Sequence, residues 1–224
     1  MKKLVLSIVL IIIFSCGKEK TVQLPEIQNA EITEVTDVSP VYMFYDVETD
    51  SIEFNRKNMI STTNWLVNID KRLTLKQVLP HLQYLQEKRH GNSVHKNDNA
   101  RNYFTCNDTL RNNLGFIDFT DVDFTQTENG TIDFSIDIQV LTTFIRFEDL
   151  ETIKIQSNDL EDIITGLNEL KSVFKKYSLN SSHQRTIVLA FNHKLSFQDY
   201  ITFKSLISSL NNEFISISNS EFIY

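Results

Sequence analysis

The first 16 residues constrain the rest of the chain most, because they decide in which compartment it folds. Lys2 and Lys3 give this stretch a positive start, and residues 4–14 form an apolar run that Ser7 alone interrupts. A helix needs about 20 apolar residues to cross the hydrocarbon layer of a membrane, which is roughly 30 Å thick. The run is too short for this, so the sequence predicts a cleaved export signal over residues 1–15.

The end of this signal carries a pattern of its own. Ile13, Phe14 and Ser15 precede Cys16, and this order resembles the lipobox of bacterial lipoproteins, with a branched apolar residue three positions before the cysteine. The resemblance implies that a diacylglycerol is joined to Cys16 and that its new amino terminus is acylated. Gly17 rather than an aspartate follows, which implies sorting to the outer membrane. The alternative is an ordinary secretory signal with a chance cysteine.

Charge and cysteine content exclude some partners. The 224 residues carry a net charge of −7, and loss of Lys2 and Lys3 with the signal takes it to −9. Nucleic acids and anionic lipid surfaces bind clustered positive charge, so we expect no nucleic acid partner and attachment to the membrane through the lipid. A lipidated Cys16 leaves Cys106 without a disulfide partner. We therefore expect Cys106 to be a buried apolar group.

The stretch after the anchor differs from the rest of the chain. Residues 16–39 mix polar side chains with isolated apolar ones and show no sustained period. We expect a lipidated tether with a reach of about 25–30 Å, dispensable for folding because it offers no apolar face to bury. The folded domain is then predicted to span residues 40–224. Whether it is one unit or two similar halves, 40–127 and 128–224, stays open.

Strand and helix signals alternate through this domain. Residues 115–127 and 131–145 flank Asn129-Gly130 and predict a hairpin, because this dipeptide readily adopts the left-handed conformations of a two-residue turn. Thr74 and Ser196 each precede a helical apolar pattern. Both have capping-box spacing to a polar residue three positions on, as Asn158 does, and so predict helix starts.

Two of these strand-turn-helix stretches can be overlaid. Residues 67–85 match residues 189–207 in the positions of their apolar side chains. We predict an α+β fold in which helices pack on one face of a mixed sheet, built from repeated strand-turn-helix units.

Two polar clusters are candidate ligand sites. His90 and His95 lie in a loop among cations, which disfavour zinc, so we expect a solvated loop or a local anion contact. A group of aspartates lacks the spacing of a calcium loop, and we expect these to be charges at strand edges that discourage aggregation: Asp108, Asp118, Asp121 and Asp123.

Motifs for catalysis are absent from the sequence. It contains no G-x-S-x-G or H-E-x-x-H pattern, no phosphate-binding loop and no dinucleotide fingerprint. We therefore assign no catalytic residue, and we expect neither a metal nor a cofactor beyond the covalent lipid on Cys16.

Two stretches are similar to the periplasmic domain of the ExbD/TolR family. Residues 69–74 read Ile-Asp-Lys-Arg-Leu-Thr and residues 191–196 read Phe-Asn-His-Lys-Leu-Ser, each placing an apolar strand before a charged turn and a hydroxyl residue that opens a helix. The resemblance covers residues 65–85 and, more fully, 187–217. It implies a protein that binds and couples components of an envelope complex. Residues 4–14 lack the membrane aspartate of that family, so no proton pathway is implied.

These features together predict a cell-envelope lipoprotein whose periplasmic or surface domain binds a protein partner without catalysis. The alternative is an envelope hydrolase with an unfamiliar site. Such an enzyme would need His81, His183 or His193 beside a carboxylate.

The carboxyl-terminal segment is the predicted partner surface. A terminal strand is expected at a sheet edge, and Glu221 is the one charge that would discourage further pairing there. We expect this segment to pair with a second copy, giving a homodimer, or to receive a partner's strand; the alternative is packing wholly within its own domain. Its apolar residues are Phe214, Ile215, Ile217, Phe222, Ile223 and Tyr224.

Replacement of Cys16 by serine tests the anchor. The hydroxyl cannot form the thioether to the lipid, so Cys16→Ser protein is expected as full-length precursor or as soluble protein, whereas Cys106→Ser protein keeps its lipid. Ultracentrifugation of lysed bacterial cells and intact-mass spectrometry measure both. Cys16→Ser protein that still partitions wholly with membranes would place the anchor elsewhere.

Overall fold

A computed structural model describes residues 20–91, 97–127, 141–157, 162–179, 185–208 and 215–224. Within these residues the chain forms two six-stranded mixed sheets and three helices, which confirms the α+β fold. The helices are α1 (Leu75–His90), α2 (Leu167–Leu179) and α3 (Phe197–Ser208). Across the part of the chain that is described, no helix has the length and apolarity needed to cross a membrane.

Twelve strands are defined in the same residues. In chain order they are β1 (Glu26–Ile27), β2 (Val38–Asp46), β3 (Ser51–Asn55), β4 (Asn64–Ile69), β5 (Asn102–Asp108), β6 (Asn113–Asp118), β7 (Asp123–Gln126), β8 (Leu141–Phe147), β9 (Ile153–Ser157), β10 (Ile163–Thr165), β11 (Arg185–Phe191) and β12 (Ile215–Ile223).

The first sheet is built around the parallel strands β2, β4 and β5. Antiparallel β3 lies beside β2 at one edge, and antiparallel β6 lies beside β5 at the other. The short strand β1 pairs in parallel with the end of β5. Trp65, Val67 and Ile69 of β4 are buried and alternate with partly exposed residues. One face of this sheet is therefore buried against the core.

The second sheet has the order β10-β9-β8-β11-β12-β7. Strands β8, β11, β12 and β7 run parallel, and β9 and β10 continue the sheet antiparallel. In each sheet a hairpin of two strands lies beside a parallel strand that is followed by a helix and a further parallel strand, and in the second sheet β10 and α2 are inserted between the hairpin and β11. Two units of the same topology thus form the protein.

The two units meet where α1 and α3 begin. Thr74 and Ser196 form an antiparallel bridge, and the first two residues of each helix donate their backbone N–H groups to the loop before the other helix, at N–O distances of 2.7–3.1 Å. When residues 67–85 are aligned with residues 189–207, each of these hydrogen bonds has an equivalent in which the donor and the acceptor belong to the opposite units. The two units are therefore related by an approximate twofold axis. From donor to acceptor, the bonds join Leu75 to Leu195, Phe197 to Leu73, Lys76 to His193 and Gln198 to Lys71.

The predicted helix starts at Thr74 and Ser196 are confirmed. The side chain of Thr74 accepts a hydrogen bond from the N–H of Gln77, whose side chain accepts from the N–H of Thr74. Ser196 and Asp199 make the same reciprocal pair at 3.1 Å. The start predicted at Asn158 lies outside the described residues, and the structure forms β10 and then α2 from Leu167 onward in the segment that follows.

Aromatic side chains join both sheets and α3 in one core. Phe104 of the first sheet stacks on Phe119, with ring centroids 3.8 Å apart, and meets Phe197 of α3 edge to face. Tyr200, one turn further along α3, meets the ring of Phe191 in the second sheet at 5.0 Å. Edge-to-face pairs of this kind contribute about 1 kcal/mol beyond their buried area. The helix α3 therefore belongs to the cores of both units.

The prediction that the folded domain begins at residue 40 is wrong. Strand β1 pairs with β5, and Ile27 and Ala30 are each 6% exposed. Ile32 forms a bridge with Phe116 of β6. The segment buries few side chains, and they alternate with polar ones over too short a stretch to give a period. Residues 20–39 are thus part of the domain rather than a tether, and residues 16–19 lie outside the described residues.

The prediction of an open terminal edge is also wrong over residues 220–223. There β12 pairs with β11 on one side and with β7 on the other, so Phe222 and Ile223 lie within the sheet. Ile215 and Ile217 pair with β11, and Phe214 lies outside the described residues. Strand β7 comes earlier in the chain, pairs in parallel with β12 and is the edge strand of the sheet. The last strand in the sequence is therefore not the edge strand.

The predicted hairpin around Asn129-Gly130 is wrong for the described strands on either side of it, because β7 and β8 do not pair with each other. The turn lies outside the described residues, and β7 and β8 on either side of it are separated in the sheet by β11 and β12. Residues 115–127 divide between the sheets, because β6 belongs to the first and β7 to the second. The boundary between units therefore falls between β6 and β7 rather than at residues 127 and 128.

Truncation of Ile27 tests the placement of the amino-terminal segment. Ile27→Ala is expected to lower the free energy of unfolding by about 2–4 kcal/mol, because it leaves a cavity in a buried site. Glu31→Ala, at an exposed position four residues on, is expected to change it by less than about 0.5 kcal/mol. Guanidinium unfolding measures both. If Ile27→Ala and Glu31→Ala lower the free energy of unfolding by the same small amount, residues 20–39 are a tether and not part of the domain.

Candidate functional site

A cleft of about 700 Å³ lies between residues 26–32, β6 and α3. Its apolar part comes from Ile27, Phe116, Ile117 and Leu206, and hydroxyl, carboxylate and amine groups line the remainder. A concave site with apolar walls and a few polar groups is the usual form of a binding site. The cleft is therefore the candidate functional site.

One wall of the cleft is a turn held by a buried carboxylate. Asp108, at the end of β5, accepts hydrogen bonds from the backbone N–H groups of Ala30, Leu110 and Arg111 at 2.8–3.2 Å. The bond from Ala30 and the other N–H donors lower the pKa of Asp108 below its usual value despite burial, which acts the other way. Asn29 lies in this turn with φ 56°, a conformation that asparagine adopts more readily than most residues.

The opposite wall is α3, and one side chain joins the two walls. Gln198 donates from Nε2 to the carbonyl of Glu26 at 3.0 Å and accepts from the N–H of Glu26 at 2.8 Å. These two hydrogen bonds satisfy the backbone of Glu26 as a neighbouring strand would. They connect residues that are 172 positions apart. The cleft is thus bounded by elements from both ends of the chain.

A buried ion pair fixes α3 against the second sheet. Glu221 of β12 is fully buried and accepts hydrogen bonds from the hydroxyl of Tyr200, at 2.8 Å, and from Nζ of Lys204. Burial, with the charge of Glu221 nearby, raises the pKa of Tyr200 well above its usual value. The hydroxyl therefore stays protonated and donates. Loss of either partner would leave a buried charge unpaired, which is the costly case.

Carboxylates outnumber amines around the cleft. Glu26 and Asp118 form ion pairs with cations outside it, whereas Glu31 is exposed and forms no ion pair within the described residues. Lys171 contributes a positive charge from α2. This balance favours a ligand that brings hydrogen-bond donors and apolar groups rather than an anion.

The structure separates the histidines that a hydrolase would need. His81 lies on α1 with its ring 4.6 Å from the ring of Phe54, and burial lowers its pKa. Nδ1 of His193 lies 2.7 Å from the main-chain oxygen of Tyr224. His183 and His95 lie outside the described residues. Nε2 of His90 contacts the backbone oxygen of Thr120 at 2.9 Å, so this ring packs on the domain.

The aspartates are divided among structural roles. Asp108 holds the turn described above, Asp118 and Asp121 both form ion pairs with Arg101, and Asp123 begins β7. Within the described residues no three His, Cys, Asp or Glu side chains lie close enough together to hold a metal ion.

Cys106 is buried and free, as predicted. Burial raises the pKa of its thiol far above the usual value, so the thiolate that would act as a nucleophile does not form at neutral pH. Cys16, the predicted lipidation site, lies outside the described residues.

Sequence reasoning missed Arg89 of α1, which is buried and contacts the first residue of β5 and the chain that leads into β4. Its guanidinium lies 3.7 Å from the ring centroid of Trp65 and donates to Asn102 and to the carbonyls of Ser61 and Thr63. Burial lowers the pKa of Arg89 to about 10. The helical period that placed Leu82 and Leu85 in the core also reaches residue 89, so this period was the signal that could have found it.

No family model, curated protein or solved structure matches the chain. The candidate site is therefore argued from the geometry of this chain alone.

A glycine in β6 sets how closely the amino-terminal wall approaches the sheet. A Cβ at Gly115 would lie 2.4 Å from Cβ of Ala30 and 2.9 Å from Cδ1 of Ile27. Gly115→Ala is therefore expected to lower the free energy of unfolding by about 1–3 kcal/mol through overpacking.

Removal of the facing methyl group provides the matched control. Ala30→Gly is expected to cost more in the wild-type background than in Gly115→Ala protein, where it relieves the clash, and urea unfolding of the four chains measures this coupling. Strictly additive effects would show that Ala30 and Gly115 do not touch.

Proposed function

We propose that this protein is a lipoprotein of the cell envelope, anchored through Cys16, whose domain binds a segment of another protein in the cleft between residues 26–32, β6 and α3. The cleft is the observation that carries the proposal. The lipobox supports the anchor, and Gly17 supports the outer membrane as its place. The protein acts as a binding and coupling component of an envelope complex.

A binding role is supported over a hydrolytic one by the surroundings of the candidate catalytic groups. Neither His81 nor His193 contacts an Asp or Glu side chain within the described residues, and Cys106 is held as a buried thiol. The buried Glu221 is already engaged by Tyr200 and Lys204. Within the described residues, His81, Cys106 and Glu221 are thus engaged in the fold and do not line the cleft.

The lining of the cleft defines the partner by its chemistry. Apolar side chains of Ile117 and Leu206 can cover an apolar residue of the partner, and Glu31 can pair with a lysine or arginine beside it. A different protein is the proposed partner rather than a second copy joined through β12, because Ser220–Ile223 is paired on both sides within its own sheet.

A substitution that fills the cleft tests this proposal. Ser205 lies in the cleft wall on α3, and Ser205→Arg is expected to reduce recovery of the partner at least tenfold when the lipoprotein is cross-linked and purified from detergent-solubilised membranes. Ser172→Arg, on the exposed side of α2, adds the same charge elsewhere and is expected to leave recovery unchanged.

The comparison of the two variants decides the outcome. A protein recovered with the wild type and Ser172→Arg but lost with Ser205→Arg identifies the partner of the cleft. Equal recovery with both variants would contradict the cleft as the binding site, while thermal unfolding of each variant shows that the domain is intact.

A further inference from the structure

The outer face of the first sheet carries aromatic and apolar side chains. The buried residues of β2 and β4 point to the helices, as Phe104 of β5 does, so strand alternation places their neighbours on the opposite face, where Thr105 of β5 is also buried. Pro40, Leu66 and Tyr103 form one row across three strands, and Tyr42 stacks on Phe44 at 5.5 Å. All five are partly exposed.

Little net charge accompanies these side chains. Tyr42 lies beside Asn55 and Asn68, whose amides are neutral. Glu53, next to Phe44, is paired with Lys20. Asp118, next to Tyr103 in the register, is paired with an arginine. A surface of tyrosine, phenylalanine, proline and amides suits the neutral, amphipathic head-group layer of a membrane, where tyrosine is enriched.

The chain enters the domain at this face. Lys20 is the first described residue, and its partner Glu53 stands on the outer face of β3. Four peptide steps separate Lys20 from Cys16, and a fully extended chain spans at most about 3.6 Å for each step. An anchor at Cys16 would therefore hold Lys20 within about 14 Å of the lipid, which is much closer than a free tether of 24 residues would.

From this placement we propose that the outer face of the first sheet, with Tyr42, Phe44 and Tyr103, lies against the head groups of the membrane that holds the anchor. The inference rests on the proposed lipidation of Cys16. Neutral, zwitterionic lipid is the expected surface, because the mature chain is strongly acidic. Ile117 and Leu206 of the cleft lie on the helix side of the same sheet, and Asp118 of the cleft lies beside Tyr103 on the outer face. The part of the cleft on the helix side therefore stays open to a partner.

Tryptophan fluorescence in vesicles tests the orientation. Trp65 is the sole tryptophan and is 1% exposed in the core, so it supplies a constant background. The full chain is produced in bacteria, purified with its lipid and placed in phosphatidylcholine vesicles with or without bromine on the acyl chains, which quenches tryptophan at short range. Tyr42→Trp and Phe44→Trp report on the proposed face, and Phe222→Trp in the second sheet is the matched control.

The added fluorescence of Tyr42→Trp and Phe44→Trp is expected to fall by more than half in brominated vesicles, while Phe222→Trp behaves like the wild type. Unquenched signals at positions 42 and 44, or equal quenching at 222, would overturn the proposed orientation. Two reporting positions allow for one variant that fails to fold.

Mass spectrometry of the same preparation separates this inference from the proposed function. A missing lipid on Cys16 contradicts the anchor, and the free thiol is then coupled to a maleimide phospholipid, since Cys106 is buried and does not react. Quenching at positions 42 and 44 in that sample supports contact of the outer face with the membrane even without the natural anchor. No quenching at these positions in that sample would overturn the proposed contact as well.

Discussion

The exchange of backbone hydrogen bonds between the starts of α1 and α3 is the interaction on which the structure depends. The first N–H groups of a helix have no partner within it. Here Leu75 and Phe197 donate theirs to the loop before the other helix, so each unit completes the helix of its twin. The capping boxes at Thr74 and Ser196 satisfy further N–H groups locally. Neither unit therefore has a fully satisfied helix start without the other.

The amino-terminal segment adds a second join across the same axis. Strand β1 pairs with β5 of the first unit, and Gln198 of the second unit forms two hydrogen bonds with the backbone of Glu26. The cleft exists because this segment stands between β6 and α3 without filling the space that separates them. Fold and candidate site thus share one cause, which is the meeting of segments from opposite ends of the chain.

The sequence predicted what depends on local periodicity. Helical spacing and capping boxes located α1 and α3, and the overlay of their stretches anticipated the repeated unit. It could not predict features set by distant partners. Ile27 and Ala30 are too few to give a period, although Asp108 and β5 hold them in place. The terminal strand resembled an edge because nothing local shows that β7 pairs with it. The cleft was missed for the same reason, since its walls come from three separate segments.

The hydrogen bonds between Glu26 and Gln198 join residues 172 positions apart, and this separation bears on how the chain would fold during the export that we propose. Contacts between distant residues slow folding, because a long loop must close before they form. A chain threaded from its amino terminus through a narrow translocation channel presents Glu26 long before Gln198 emerges. In the export that we propose, the hydrogen bonds between Glu26 and Gln198 can therefore form only after residue 198 has left the channel.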